Sequence, residues 1–202
     1  MKVGIGITTF NRPDCLKQCV SQINKHSSGY DTKLYIAVDS DEDRRGVAFR
    51  KNECLIALKD CEYVFLFDDD CFPIKDKWIE FFVYSKEEHV LFLNKKKHRF
   101  ILKISGKEYY NDCGGVFMFL TKNAIEKVGL FDEKYTIYGF EHADFSNRIY
   151  GENNRYRMIE GTSEYLFAHD YSTVNHKSSI SDEEKNKYVK LNWNKYFNEN
   201  TI

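Results

Sequence analysis

Apolar and polar positions in the first third of the chain follow two rhythms in turn. Residues 3–8 and 33–38 read as short strands, whereas Leu16, Val20 and Ile23 recur at helical spacing on a segment opened by the turn and helix-start residues Asn11-Arg12-Pro13-Asp14. That helix is predicted to run to about residue 25. A second helix is predicted over 46–58 and a third strand over 63–67, the run Tyr63-Val64-Phe65-Leu66-Phe67. Strands alternating with helices imply a mostly parallel sheet with right-handed crossovers. All three strands then deliver their carboxyl ends to one edge, which carries Thr8-Thr9-Phe10, Asp39 and Asp68-Asp69-Asp70.

The second half is less regular. A helix is predicted over 78–84 and short strands over 89–93 and 100–104, and Gly114-Gly115 precedes an apolar strand over 116–120. Thr121 is placed to cap a helix through Val128, which Gly129 terminates. Residues 161–169 hold a last apolar strand. Beyond a polar stretch, residues 182–197 carry a charged helical pattern with Tyr188, Leu191 and Trp193 available for docking. No internal repeat, low-complexity tract or interdomain linker interrupts the chain.

Length and composition bound the function classes. A chain of 202 residues with 42% hydrophobic and 16% aromatic content and two prolines is expected to fold as one globular domain with a sizeable core. A formal net charge of -1 argues against bulk nucleic-acid binding; the short basic run Lys95-Lys96-Lys97-His98-Arg99 reads as a solvated loop, with contact to a phosphate or an acidic acceptor as the other reading. The six cysteines form no C-x-x-C pair, which points to reduced thiols and not to zinc. The apolar stretch at the amino terminus is too short for a signal peptide, and no segment reaches the roughly 20 apolar residues of a membrane span, so a soluble, cytoplasmic protein without a transmembrane segment is expected.

The aspartates that follow residues 63–67 change this picture most. Adjacent carboxylates at the carboxyl end of a buried strand repel one another and call for a cation, and open α/β sheets bind ligands at that edge. Oxygen ligands suit Mg²⁺ or Mn²⁺, held by one or two carboxylates together with substrate phosphates. The alternative is an acidic turn, since Asp is common in turns and Cys71-Phe72-Pro73 can end the strand without any ligand.

Six blocks in order carry a resemblance. Ile7-Thr8-Thr9-Phe10-Asn11-Arg12, Val38-Asp39-Ser40-Asp41, Phe49-Arg50-Lys51-Asn52 and Phe67-Asp68-Asp69-Asp70, followed by Gly114-Gly115-Val116-Phe117 and the helix Gly139 to Arg148, resemble the motifs of family 2 glycosyltransferases with the GT-A fold. The ordered set spans roughly residues 3–176. In size and motif the chain is also similar to the small GT-A domains of virus-encoded capsid glycosyltransferases. The resemblance implies an α/β fold in which a mostly parallel central sheet is flanked by helices. It also implies a nucleotide-sugar half over about 1–110, an acceptor half over about 111–180 and a helical tail over 181–202.

The same resemblance implies roles. Thr8, Thr9, Phe10 and Arg12 would lie beside the base of a nucleotide-sugar donor, a UDP-sugar first of all. Asp39 would accept a hydrogen bond from uracil or ribose, or else serve only as a turn carboxylate, and Arg50 would lie near the nucleotide or else be a solvated helix charge. Asp68 and Asp70 match the ends of a D-x-D motif, Asp70 for direct contact with Mn²⁺ or Mg²⁺, Asp68 for ribose or a metal-bound water, and Asp69 in support. His169 after a late strand is the expected last metal ligand, with His176 as the second candidate. Such a metal acts as a Lewis acid on the departing diphosphate.

The acidic helix departs from the family pattern G-x-E-D-x-[DE]-x-x-x-R. His142 stands where inverting members carry the carboxylate base. Three readings follow: His142 is the base, Glu141 or Asp144 takes that task, or the enzyme retains anomeric configuration. The expected activity is metal-dependent sugar transfer to a hydroxyl of a glycan or glycoconjugate. A metal-dependent nucleotidyltransferase, or a non-catalytic glycan-binding module on the same fold, is the alternative.

Overall fold

The computed structural model describes residues 1–93, 100–110, 114–151, 156–169 and 179–199. The chain opens with β1 (Lys2–Phe10), α1 (Pro13–His26), β2 (Asp31–Asp39), α2 (Val47–Ala57) and β3 (Tyr63–Asp68). There follow β4 (Cys71–Pro73), α3 (Trp78–Val83), β5 (His89–Phe92), β6 (Phe100–Ile104), β7 (Lys107–Tyr110), β8 (Gly114–Thr121) and α4 (Lys122–Val128). Last come α5 (Glu141–Tyr150), β9 (Tyr156–Arg157), α6 (Thr162–Tyr165), β10 (Leu166–Ala168) and α7 (Asp182–Glu199).

The central sheet has five strands in the order β2-β1-β3-β8-β5. β1 pairs in parallel with β2 and β3, as the alternation of strands and helices predicts, while β8 runs antiparallel to both β3 and β5. Register decides what meets at the carboxyl edge: Phe10 lies opposite Asp39, and Thr8 lies opposite Asp68. Three sequence blocks far apart in the chain thereby come to one line.

Strand alternation sorts the core into two layers. Phe65 and Phe67 of β3 and Phe117 and Phe119 of β8 pack with Trp78 and Phe82 of α3 on one face. Val64, Leu66, Met118 and Leu120 face the other side, where α2 and α5 cover the sheet with Cys54, Leu55 and Phe145. The rings meet edge-on or tilted, with Phe65 and Trp78 centroids 4.7 Å apart and Phe82 and Phe117 also 4.7 Å apart. Thr121 caps α4 as expected, its Oγ1 accepting from the Ala124 N–H at 3.2 Å, and Gly129 follows with φ 78°.

Three features differ from the sequence reading. Cys71-Phe72-Pro73 does not simply end a strand: it forms β4, which pairs antiparallel with β10. The strands β7 and β9 join β6 in a separate three-stranded sheet that no apolar periodicity announces. Leu191 and Trp193 of α7 remain 43% and 51% exposed, while Asn192 and Tyr196 are buried against the fold. Asn192 Nδ2 donates to the carbonyls of Thr136, Tyr138 and Gly139 at 2.9–3.1 Å, and Trp193 and Tyr196 pack against Phe140, so the helix docks through a polar clamp together with an aromatic contact.

Candidate active site

A cleft of about 740 Å³, counted to its open mouth, lies at the carboxyl edge of β1, β2 and β3. Its walls include Thr8, Thr9, Phe10, Arg12, Asp39, Arg50, Asp68 and Asp70, so most of the residues expected to hold a nucleotide converge there. Asp69 points inward and is fully buried, with Thr9 Oγ1 donating to it at 2.5 Å and Arg12 paired to its other oxygen. Arg12 also donates to Asp70 Oδ2 at 2.6 Å. One guanidinium thus spans two of the three crowded carboxylates.

The aspartates do not share one environment. Burial pushes the Asp68 carboxyl up to about 6, with Lys51 opposing and Asp70 and Glu141 adding repulsion; Thr8 Oγ1 donates to it at 3.0 Å. Burial likewise raises Asp69 to about 7 against the pull of Arg12. Both shifts express the cost of gathering negative charge at a strand end with little water.

Asp39 and Arg50 use their polar atoms on each other and on the loop between β2 and α2. Asp39 accepts from the Arg45 and Gly46 N–H groups at 2.8 and 3.1 Å and from Arg50 Nε at 3.1 Å. Arg50 donates further to Glu53 at 2.9 Å and to the Asp43 carboxylate at 2.7 Å, and its side chain is 7% exposed. Arg50 is therefore a buried brace of the cleft wall and not a solvated helix charge. Gly46 is needed at the corner: its φ is 89°, and a Cβ there would lie 2.5 Å from the Ile137 backbone.

The antiparallel pairing of β4 with β10 brings His169 to the aspartates. The His169 N–H donates to the Asp70 carbonyl at 3.1 Å, and its ring packs at 4.9 Å from Phe167. His176 and the basic run 95–99 lie outside the described residues. Among the described residues no three His, Cys, Asp or Glu groups form a ready-made metal cluster.

The acidic helix divides its tasks. None of Glu141, His142 and Asp144 is among the residues lining the cleft; Asp144 accepts from Arg148 Nε at 2.9 Å and from the Tyr135 hydroxyl at 3.3 Å, while Arg148 also holds the carbonyls of Val128 and Leu130. Glu141 is 4% exposed and faces Lys51, whose Nζ lies 3.2 Å from Oε1. His142 Nδ1 lies 3.1 Å from the same oxygen. Burial alone would raise the Glu141 carboxyl, but Lys51 and then His142 outweigh it and hold it well below the usual carboxylate range. Burial alone would lower the Lys51 ammonium, and Glu141 and Asp68 outweigh that too.

Lys51 is the residue that sequence reasoning missed. It is 1% exposed and pairs with the α5 carboxylate Glu141 at 3.2 Å, and its charge also acts on Asp68 of β3. A signal was present: Ala48, Lys51 and Leu55 fall at i, i+3 and i+7 on the buried face of α2. Arg44 was also missed. It packs 4.4 Å over the Phe10 ring and pairs with Glu184 of α7 at 2.6 Å, which brings Ser179, Ile180 and Lys185 to the cleft wall. That contact joins segments far apart in sequence and left no local mark.

Sheet order, reversed β8 and a carboxylate-lined cleft at the parallel edge define the GT-A fold of glycosyltransferases. No family model matches the chain. Over 148 residues it is 28% identical to the uncharacterized glycosyltransferase R363 of Acanthamoeba polyphaga mimivirus, covering 65% of this chain and 57% of that relative. The chain therefore spans little more than half the length of the relative it matches. The fold is similar to that of a mutant Drosophila beta-1,4-galactosyltransferase 7 solved with manganese, UDP-Gal and xylobiose, with TM-score 0.54, 16% identity, and 91% and 78% of the two chains covered. It is also similar to the mannosyltransferase of Pyrobaculum calidifontis in complex with GDP-Man and Mn²⁺, with TM-score 0.56, 12% identity, and 78% and 54% covered. The likeness to virus-encoded glycosyltransferases drawn from the sequence is borne out by the mimivirus relative.

Proposed function

We propose that this protein transfers a sugar from a nucleotide sugar, a UDP-sugar first of all, to a hydroxyl of a glycan or glycoconjugate with the help of Mn²⁺ or Mg²⁺. The observation that carries the reading is the convergence of Thr8, Asp39, Asp68 and Asp70 on one cleft at the carboxyl edge of the parallel strands. Phe10 and Thr8 offer an apolar face and a hydroxyl to the base and ribose, and Asp39 keeps the wall in shape. The acceptor would approach from the side of Glu141 and His142.

The donor set fits a hard divalent cation. Asp68 and Asp70 supply carboxylate oxygens, and such ions ask for only one or two of these plus substrate phosphates. His169, bonded through its backbone to Asp70, is the third candidate ligand. When bound, the ion would stabilise negative charge on the departing diphosphate. Arg12 already shares Asp70, so it would lie beside the diphosphate as a second positive group. Relatives of the fold solved with UDP-Gal or GDP-Man and manganese support this chemistry without fixing the donor.

The five described cysteines are free; a reducing, cytoplasmic setting is our reading, and it rests on the cysteine spacing in the sequence. No helix among the described residues is long and apolar enough to cross a membrane. One domain, with donor half, acceptor half and helical tail, remains our reading of the chain.

Calorimetric titration of UDP with and without Mn²⁺, repeated on Asp70→Ala, tests the proposal. Metal-dependent binding that vanishes in the variant is the expected result. Binding of neither UDP nor GDP under any condition would turn the reading toward a non-catalytic glycan-binding module.

A further inference from the structure

We propose that a second groove, separate from the donor cleft, binds a neutral glycan chain. It opens where α3 and the residues just after it face the segment from β9 to α6, and it measures about 1130 Å³ counted to its mouth, against about 740 Å³ for the donor cleft. The two share no lining residue. The inference goes beyond the transfer reading and rests on it only for the class of molecule this protein handles.

Aromatic rings supply the apolar surface of the groove. Phe81 and Tyr165 stack with centroids 4.5 Å apart and planes at 22°, which fixes one wall, and Tyr84 is 75% exposed in the same lining. A tyrosine so exposed adds little to folding, and an aromatic ring facing water in a concave place is suited to contact a ligand. A pyranose matches it: one face of C–H groups packs on the electron-rich face of the ring, and a rim of hydroxyls points outward.

Two residues of this lining each bury a polar atom that has no hydrogen-bond partner, Nε of Arg157 and Oε2 of Glu80. Arg157 is only 8% exposed, so water does not serve that N–H. The Glu80 carboxylate meets the Tyr30 hydroxyl, which still leaves Oε2 without a partner. One atom is a donor and the other an acceptor, and a hydroxyl is the group that answers either.

Charge argues against an ionic occupant. Arg157 Nη2 donates to Glu87 at 2.9 Å, and Nη1 to the carbonyls of Glu108 and Met158 at 2.6 and 3.0 Å, so its charge is compensated within the fold. The other charged groups of the lining, Lys77, Glu80 and Glu160, are of mixed sign. A phosphate, a uronate or a polybasic chain finds no field of one sign there, whereas a neutral polyol needs none. Tyr165 and His169 flank β10, about 13 Å apart along an extended strand, and the His169 N–H meets the Asp70 carbonyl, so a glycan in the groove is anchored a short chain's length from the cleft.

Saturation-transfer NMR and calorimetry on the full chain test this with cellotetraose, chitotetraose and maltotetraose at millimolar concentration, and with tetragalacturonate and tetralysine as charged counterparts. At least one neutral tetrasaccharide is expected to bind, equally well with and without UDP and Mn²⁺. Tyr84→Ala, at an exposed site, and Glu80→Gln, which keeps the side-chain shape, should each weaken it about tenfold or more while UDP binding is unchanged. Binding of none of the three, equal binding by both variants, displacement by UDP, or a charged probe as the only one lost in the variants overturns the proposal. UDP binding without glycan binding sinks the groove and leaves the transfer reading standing; glycan binding at the groove without UDP or GDP binding does the reverse.

Discussion

Arg50 Nε donates to Asp39 Oδ1 at 3.1 Å inside the cleft wall, and the two side chains are only 7% and 9% exposed. This pair closes the loop between β2 and α2 over the end of the parallel sheet. Breaking a buried ion pair by removing one partner costs about 3–5 kcal/mol. Arg50→Met is therefore expected to lower unfolding free energy on that scale and to weaken nucleotide binding, measured by urea denaturation and calorimetry. An unchanged denaturation midpoint would show that Asp39 does not need this brace.

Gly46 makes the next corner of the same loop. Its φ of 89° and ψ of 173° belong to a region nearly closed to other residues, and a Cβ would strike the Ile137 backbone. Gly46→Ala should cost at least about 2 kcal/mol. Ile137 lines the cleft, so UDP affinity should fall in the same variant while the aromatic layer around Trp78 keeps its near-UV signal. Loss of stability without loss of affinity would separate the corner from the cleft.

His89 is fully buried on β5, bonded to the Phe119 carbonyl and to Ser146 Oγ, each at 2.8 Å. Burial lowers its ring to about 4 from an ordinary 6.5, with the Phe119 carbonyl opposing. The folded protein then binds fewer protons at this site than the unfolded chain between those values, so stability falls as pH drops through that window. The loss is on the order of 3 kcal/mol at its fullest. Denaturation midpoints at pH 7, 6 and 5 should show the slope in the unaltered protein and a smaller one in His89→Gln, whatever that variant's absolute stability. Equal slopes would remove His89 from the account.

Asn192 anchors α7 through one amide that serves three carbonyls. Asn192→Ala leaves those carbonyls in a buried place and should cost about 1–3 kcal/mol. Because α7 meets the fold at its edge, the expected effect is local: faster hydrogen exchange and proteolysis in α7, with the central sheet unchanged. Exchange that accelerates throughout the sheet would instead make α7 part of one cooperative unit.

Much of the site could be read along the chain because its residues sit at ends of regular elements. A run of apolar residues that stops at aspartates is a strand that stops at an edge, and three such ends in β-α-β order meet at the same edge whatever the loops do. The cap of α4 and the resemblance of the ordered blocks followed in the same way. The resemblance offers Asp144 as a candidate base, while its observed contacts are with Arg148 and Tyr135; spacing on a helix names a face and not everything that covers it.

The sequence by itself determined the strand and helix alternation, the parallel sheet it demands and the gathering of Thr8, Asp39, Asp68 and Asp70 at its carboxyl edge, because periodicity and chain connectivity are local facts. Only the tertiary structure decided that β4 and β10 pair to bring His169 to Asp70, that Arg50 braces Asp39, and that Lys51 pairs with Glu141, whose carboxylate also meets His142. Those are contacts between segments far apart in sequence. Their energies depend on burial and on which charge faces which, and neither exists until the chain has folded.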